Sequence, residues 1–262
     1  MHSYLLTISY DGTAYAGWQR QDGFDTVQQR LEEAFEVIVG EPVVVHGAGR
    51  TDAGVHALRQ AAHVRLGRRI DPGVLVRAVN GNVPRDIAVT AVRPVPAEFH
   101  ARFSAIGKRY AYRFSTGRVR PVFGRGYSHW ARGVLDVDAM RRGGAALVGT
   151  HDFASFASNP GYERKRGTVR TVQRLHVVRR RREVALVIQG DGFLYNMVRA
   201  IAGTLRDVGV GKLPSCRVGE ILAARDRRVA GPTIEPGGLY LVRVLYGPGA
   251  FRGRVESGPG QW

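Results

Sequence analysis

Apolar and polar positions alternate from Leu5 to Tyr10, which predicts a strand. Val27, Leu31, Ala34, Phe35 and Ile38 then recur at helical spacing, and Thr26 stands where an N-cap belongs. Pro42 precedes a short β-branched run, Val43 to Val45, expected as a second strand. Ala61 to Leu66 reads as a third. Asp71-Pro72 opens a helix carrying Leu75, Val76 and Val79, and Ile87 to Val92 closes the set. The order β-α-β-β-α-β is the split βαβ, or ferredoxin-like, pattern.

The second half repeats it. Arg109 to Ser115 alternates as a strand, and Asp138 to Leu147 has helical composition. Val172 to Val178 and Val184 to Ile188 alternate across an arginine-rich turn, Arg179 to Arg182. Leu194, Met197, Val198, Ile201, Leu205 and Val208 form one helical stripe. Leu239 to Leu245 supplies the last strand, and an added helix near Ser215 to Ala224 interrupts the repeat. The expected fold is α+β: two ferredoxin-like halves with mainly antiparallel sheets. The expected divisions are an N-terminal domain over 1–105, a C-terminal domain over 106–246 and a flexible, Gly- and Arg-rich tail over 247–262. Phe153 to Gly167, with Arg164-Lys165-Arg166, reads as a long mobile loop.

Charge adds a partner. The 262 residues carry a formal net charge of +17, and of the 39 basic residues only Lys108, Lys165 and Lys212 are lysines. Such an excess of arginine favours a polyanion, because guanidinium forks fit phosphate oxygens and stack on bases. Cys216 is the single cysteine, so no intrachain disulfide forms; this fits a reducing cytoplasm, and the thiol reads as structural. No apolar run reaches membrane-spanning length, and Met1-His2-Ser3-Tyr4 leads straight into the first strand without a signal peptide. His46, His56 and His63 lack zinc-ligand spacing, so no metal and no cofactor are expected.

The chemistry concentrates in Gly49-Arg50-Thr51-Asp52-Ala53-Gly54-Val55-His56-Ala57. A carboxylate lies between two glycines that let a loop turn sharply and let a ligand approach. Arg50 stands two residues away, able to pair with the carboxylate or hold a phosphate. Most Gly-flanked aspartates only cap a turn. Asp11, in the turn Tyr10-Asp11-Gly12-Thr13, offers a second carboxylate and reads as structural.

Gly49 to Ala57 resembles the signature of the TruA-type tRNA pseudouridine synthases. So do Tyr10 to Gln19, Phe99 to Ser104 with Lys108 to Tyr112, Phe193 to Arg199, and Gly238 to Leu241, all in family order. The resemblance implies two such domains joined around a central cleft and a cofactor-independent isomerase. That enzyme would convert uridine to pseudouridine in the anticodon arm of tRNA, at positions 38 to 40, as a cytoplasmic homodimer. It implies that Asp52 is the nucleophile, that Tyr110 packs on the uracil and that Arg199 pairs with Asp52. It also implies that Leu239 packs on the base from the other side. Arg50 is suited either to intercalate or to hold the phosphate of the flipped nucleotide. Alternation puts Tyr110 and Tyr112 on one face, so spacing does not separate them. Asn196 departs from the family, which often has histidine there. Two other readings remain: a non-catalytic RNA-binding protein of two ferredoxin-like modules, and a hydrolase built on Asp52 and Asp11.

Overall fold

The structure is a computed structural model that describes residues 1–159, 161 and 167–251. The chain divides into two compact units. One is Met1–Ile106 with the described residues from Arg243 on; the other is Gly107–Val242.

The first unit contains strands β1 (His2–Tyr10), β2 (His46–Gly47), β3 (His56–Leu66) and β4 (Ile87–Val95), with helices α1 (Val27–Val39) and α2 (Pro72–Asn82). The strands are antiparallel in the order β4-β1-β3, with β2 on the outer side of β3. In register, Leu6 faces Ala62 and Val92, and His46 faces His63. The Thr26 side chain accepts from the Gln29 N–H at the start of α1, and Asp71 does the same for Gly73 and Val74 at α2. Leu31 and Phe35 on α1 and Leu75 and Val79 on α2 are fully buried with Leu6 and Ile8 of β1. Each such side chain contributes about 1.5–3 kcal/mol of burial.

Val43–Val45, expected as a strand, pairs with nothing in the sheet. The Val45 N–H donates instead to the Glu32 carboxylate (3.1 Å), so the ladder bond is already spent. Strand β3, in contrast, begins five residues earlier than expected, because His56 and Gln60 are buried polar residues with partners rather than exposed ones.

The second unit contains β5 (Ala105–Gly117, of which Gly107 onward belongs here), β6 (His129–Arg132), β7 (Gly149–Asp152), β8 (Val169–Arg180) and β9 (Glu183–Gly190). Its helices are α3 (Val137–Ala145), α4 (Met197–Gly209) and α5 (Arg217–Ala224). The strand order is β5-β9-β8-β7, antiparallel throughout, with β6 parallel to β5. The last strand, β10 (Leu239–Tyr246), begins in this unit. Mixed helices and mainly antiparallel strands make the protein α+β. The arginine-rich turn narrows to Arg181-Arg182, with Arg181 at φ 54.

The expected mobile loop starts as an anchored segment: Ala154–Phe156 forms one short helical turn, with Phe153 and Phe156 fully buried. Its Arg164-Lys165-Arg166 stretch lies outside the described residues. The expected tail is likewise described only to Phe251, and Pro248–Phe251 forms a turn that lays Phe251 against the Arg93 guanidinium (3.1 Å) and the Phe99 ring (5.8 Å). Cys216, expected as structural, is exposed at the start of α5. Among the described residues, no helix is long and apolar enough to cross a membrane.

Candidate active site

Asp52 and Arg50 lie on the loop between β2 and β3 of the first unit. Three polar contacts fix that loop from below. The Tyr10 and Thr51 hydroxyls lie 2.8 Å apart, the Gln60 amide donates to the Gly49 carbonyl (2.9 Å), and the Trp18 N–H donates to the Thr51 carbonyl (3.1 Å). The Val55 N–H closes a turn on the Asp52 carbonyl (3.1 Å), and the Gly54 N–H reaches the Tyr15 carbonyl (3.4 Å). Asp52 itself is part-exposed at the head of this turn.

The neighbouring loop, Asp11 to Gln19, is what the first packs against. Gly17 has φ +99, and a Cβ there would sit 2.5 Å from the Thr51 carbonyl oxygen; a Cβ on Gly12 would sit 2.1 Å from that of Val55. Backbone meets backbone at both places, and only glycine permits it. Burial pushes the Tyr10 hydroxyl far above its usual pKa, so it stays a neutral hydrogen-bonding group. Asp11 behaves as a turn residue, accepting from the Thr13 N–H (3.0 Å) and hydroxyl (2.6 Å), and its carboxylate lies 3.0 Å from His56 Nδ1. These bonds give Asp11 a local role in shaping its own turn.

Arg50 is exposed, and its Nε donates to the Gln19 side-chain oxygen (3.1 Å). The sequence gives no role to Tyr10, Gln60 or Gln19, and His56 drew notice there only as a metal ligand lacking the spacing for one. Each lies within, or a few residues from, a block that resembles the family, but hydrogen bonds between residues 11 to 44 positions apart leave no periodic signal.

His46, His63 and His100 cluster, with His46 stacked on His63 at 4.8 Å and His100 tilted against His63 at 4.6 Å. The rings pack against one another instead of converging their nitrogens. Among the described residues, no group of three or more His, Cys, Asp or Glu side chains is placed to hold a metal ion.

Tyr110, Arg199 and Leu239 belong to the second unit. Tyr110 lies on β5 opposite Ile188, nearly buried, its ring edge-on to Phe193 at 5.2 Å. Tyr112 shares its face of the strand. Its side chain is buried, and its hydroxyl donates to the Glu235 carbonyl (2.7 Å). The two tyrosines thus have different neighbours, Phe193 beside Tyr110 and the Glu235 carbonyl on Tyr112. Arg199 is no solvated helix arginine. Its Nε donates to the Ile234 carbonyl (2.7 Å) and its Nη1 to the Asn196 side-chain oxygen (2.8 Å). Asn196 holds a left-handed conformation (φ 62) at the start of α4, which asparagine tolerates better than most residues, and its amide donates to the Ser158 hydroxyl (3.1 Å). The segment between Ile234 and Leu239 is therefore held by Arg199 and Tyr112, with the Glu235 carboxylate against His129. Leu239, buried, opens β10 at the end of that segment.

A sequence profile described as tRNA pseudouridine synthase matches residues 6–104 and 145–247. The chain belongs to that family. tRNA pseudouridine synthases are isomerases, and the family assignment decides for an enzyme over a non-catalytic RNA-binding module. The chain is 43% identical over 252 residues to the tRNA pseudouridine synthase A 1 of Protochlamydia amoebophila, covering 94% of this chain and 97% of that one. It is 42% identical to the tRNA pseudouridine synthase A of Caldicellulosiruptor bescii, covering 94% and 100%. The Pseudomonas aeruginosa tRNA pseudouridine synthase A is 43% identical, covering 94% and 86%. Within this tRNA pseudouridine synthase, Arg50, Asp52, Arg199 and Leu239 fall inside the matched spans, and Tyr110 falls between them.

Proposed function

We propose that this enzyme isomerises uridine to pseudouridine at positions 38 to 40 in the anticodon arm of tRNA, with Asp52 as nucleophile. The reaction breaks the N1–C1′ glycosidic bond, turns the base and joins C5 to C1′. No redox change and no group from elsewhere is needed, so a carboxylate that holds a covalent intermediate suffices. The observation that supports the reading is the build of the Asp52 loop. Trp18 and Gln60 tie its backbone and Tyr10 ties the Thr51 side chain, and its one acid stands part-exposed at the turn. A nucleophile held this way loses little entropy on attack.

On this reading Tyr110 packs on the uracil and handles the proton on C5. Arg199 keeps the Asp52 carboxylate ionised, Leu239 covers the other face of the base, and Arg50 holds the displaced nucleotide. Leaving the stack costs the nucleotide a few kcal/mol, about what a positioned guanidinium and a ring can return. The enzyme works without metal or cofactor, as a homodimer in which one tRNA touches both subunits. The test is chemical mapping of pseudouridine in unmodified tRNA incubated with the enzyme. New pseudouridine confined to positions 38 to 40 is expected. Modification elsewhere would overturn the site assignment, and release of free uracil would overturn isomerisation.

A further inference from the structure

We infer that Glu32 is a positioning residue for Arg50, acting through Gln28 and Gln19; the inference rests on the reading of Arg50 as a substrate-binding residue. Glu32 is a buried acid on α1. Its Oε1 accepts from the Gln28 amide (2.9 Å) and the Val45 N–H (3.1 Å), and its Oε2 accepts from Arg20 (3.0 Å). A carboxylate only accepts, so Gln28 must turn its NH2 towards it. The Gln28 carbonyl then faces the other way, where it accepts from the Gln19 NH2 (2.7 Å) and the Arg20 N–H (3.0 Å). That in turn leaves the Gln19 carbonyl facing Arg50 Nε (3.1 Å).

Each amide in this chain has one donor end and one acceptor end. Fixing the first therefore fixes the last: the acid on the Gln28 NH2, together with the Arg20 N–H on the Gln28 carbonyl, decides that Arg50 meets an oxygen and not an NH2. The amide of a glutamine at position 32 has a single acceptor oxygen for three donors, Gln28, Val45 and Arg20. The register of the chain then rests on the Arg20 N–H alone.

The free enzyme and the turnover assay test this separately. The Nε–H resonance of Arg50 is identified as the signal lost in Arg50→Lys. In Glu32→Gln its solvent exchange should quicken about tenfold, the equivalent of one lost hydrogen bond. With unmodified tRNA, Glu32→Gln should raise KM about fivefold to tenfold with kcat little changed, and that effect should vanish in an Arg50→Ala background. An unaltered Arg50 resonance, or an equal loss in both backgrounds, would overturn the proposal, the second because a merely structural defect persists without Arg50. If Arg50→Ala alone leaves the kinetics unchanged, the substrate role of Arg50 falls and the proposal with it; a resonance that still responds to Glu32→Gln marks that failure as the reading's. Should Glu32→Gln fail to fold, Gln19→Leu breaks the link nearest Arg50, outside the core, and carries the same two measurements.

Discussion

The hydroxyl of Tyr10 and that of Thr51 meet at 2.8 Å, joining the end of the first strand to the loop that carries Asp52. Forty-one residues separate them in the chain. The contact is buried, and the tyrosine is kept neutral there by its own desolvation.

Tyr10→Phe keeps the ring and removes the bond. It is expected to lower stability by about 1 kcal/mol, a fall in Tm of about 2–4 °C for a chain of this size. Turnover should fall while tRNA binding holds, because the loop is loosened below the carboxylate and not at the RNA surface. Thermal melts with single-turnover assays check this, and unchanged turnover would remove the tie from the catalytic account.

Gly17→Ala should be the more damaging change. The new methyl combines a strained positive φ with a 2.5 Å approach to the Thr51 carbonyl. A loss of about 2–3 kcal/mol is expected, read as a lower urea midpoint at constant m. A midpoint within error of wild type would mean that the two loops separate freely.

Asp52→Asn should abolish turnover and leave the tRNA Kd within a small factor, since the amide keeps the shape and loses the nucleophile. Mapping of product tRNA and filter binding measure the two effects. More than a few per cent residual activity would sink the nucleophile assignment.

Arg199→Ala removes donors from the Ile234 carbonyl and the Asn196 side chain. A stability loss of about 1–3 kcal/mol follows from the carbonyl alone. If Arg199 also serves Asp52, turnover drops further, by about a hundredfold or more, and the acid limb of the pH–rate profile moves up as the carboxylate is less easily ionised. Arg199→Lys should recover only part of the rate, because an ammonium cannot reproduce the fork. A variant whose rate falls no more than its stability explains would confine Arg199 to holding the segment before Leu239.

His63 gives stability a pH dependence on the acid side. Burial, reinforced by His100, His46 and Arg65, pushes its pKa down to about 4. The unfolded chain takes up this proton near pH 6.5 and the folded chain near 4. The contribution is thus full above about 6.5 and is lost as pH falls through 4. The urea midpoint should decline over that window. His63→Gln, which can still accept from the Ala101 N–H, should flatten the decline. An identical slope in the variant would place the titration elsewhere.

The order of elements was legible because burial writes a period into the sequence. The stripe from Met197 to Val208 lies on α4, and Leu5 to Tyr10 became part of β1, paired on both sides by β4 and β3. What was illegible followed from polar partners. Val43–Val45 has strand composition, yet Glu32 takes the bond that a strand would need. Strands β6 and β7, four residues each, are too short to show alternation. Of the site, Asp52 and Arg50 stood out through their loop and Tyr110, Arg199 and Leu239 only through the family resemblance. The residues that tie the loop in place, Tyr10, Gln60, Gln28 and Glu32, look like ordinary strand and helix residues until their partners are known.

The glycine contacts at positions 12 and 17 also decide whether the Asp52 loop could be transplanted. Gly49 to His56 is short enough to graft, but half of its mould is the peptide from Tyr10 to Trp18. A scaffold given only that segment would receive the acid without its setting. An engineered copy needs both loops, contributed by two chain segments and pressed backbone to backbone.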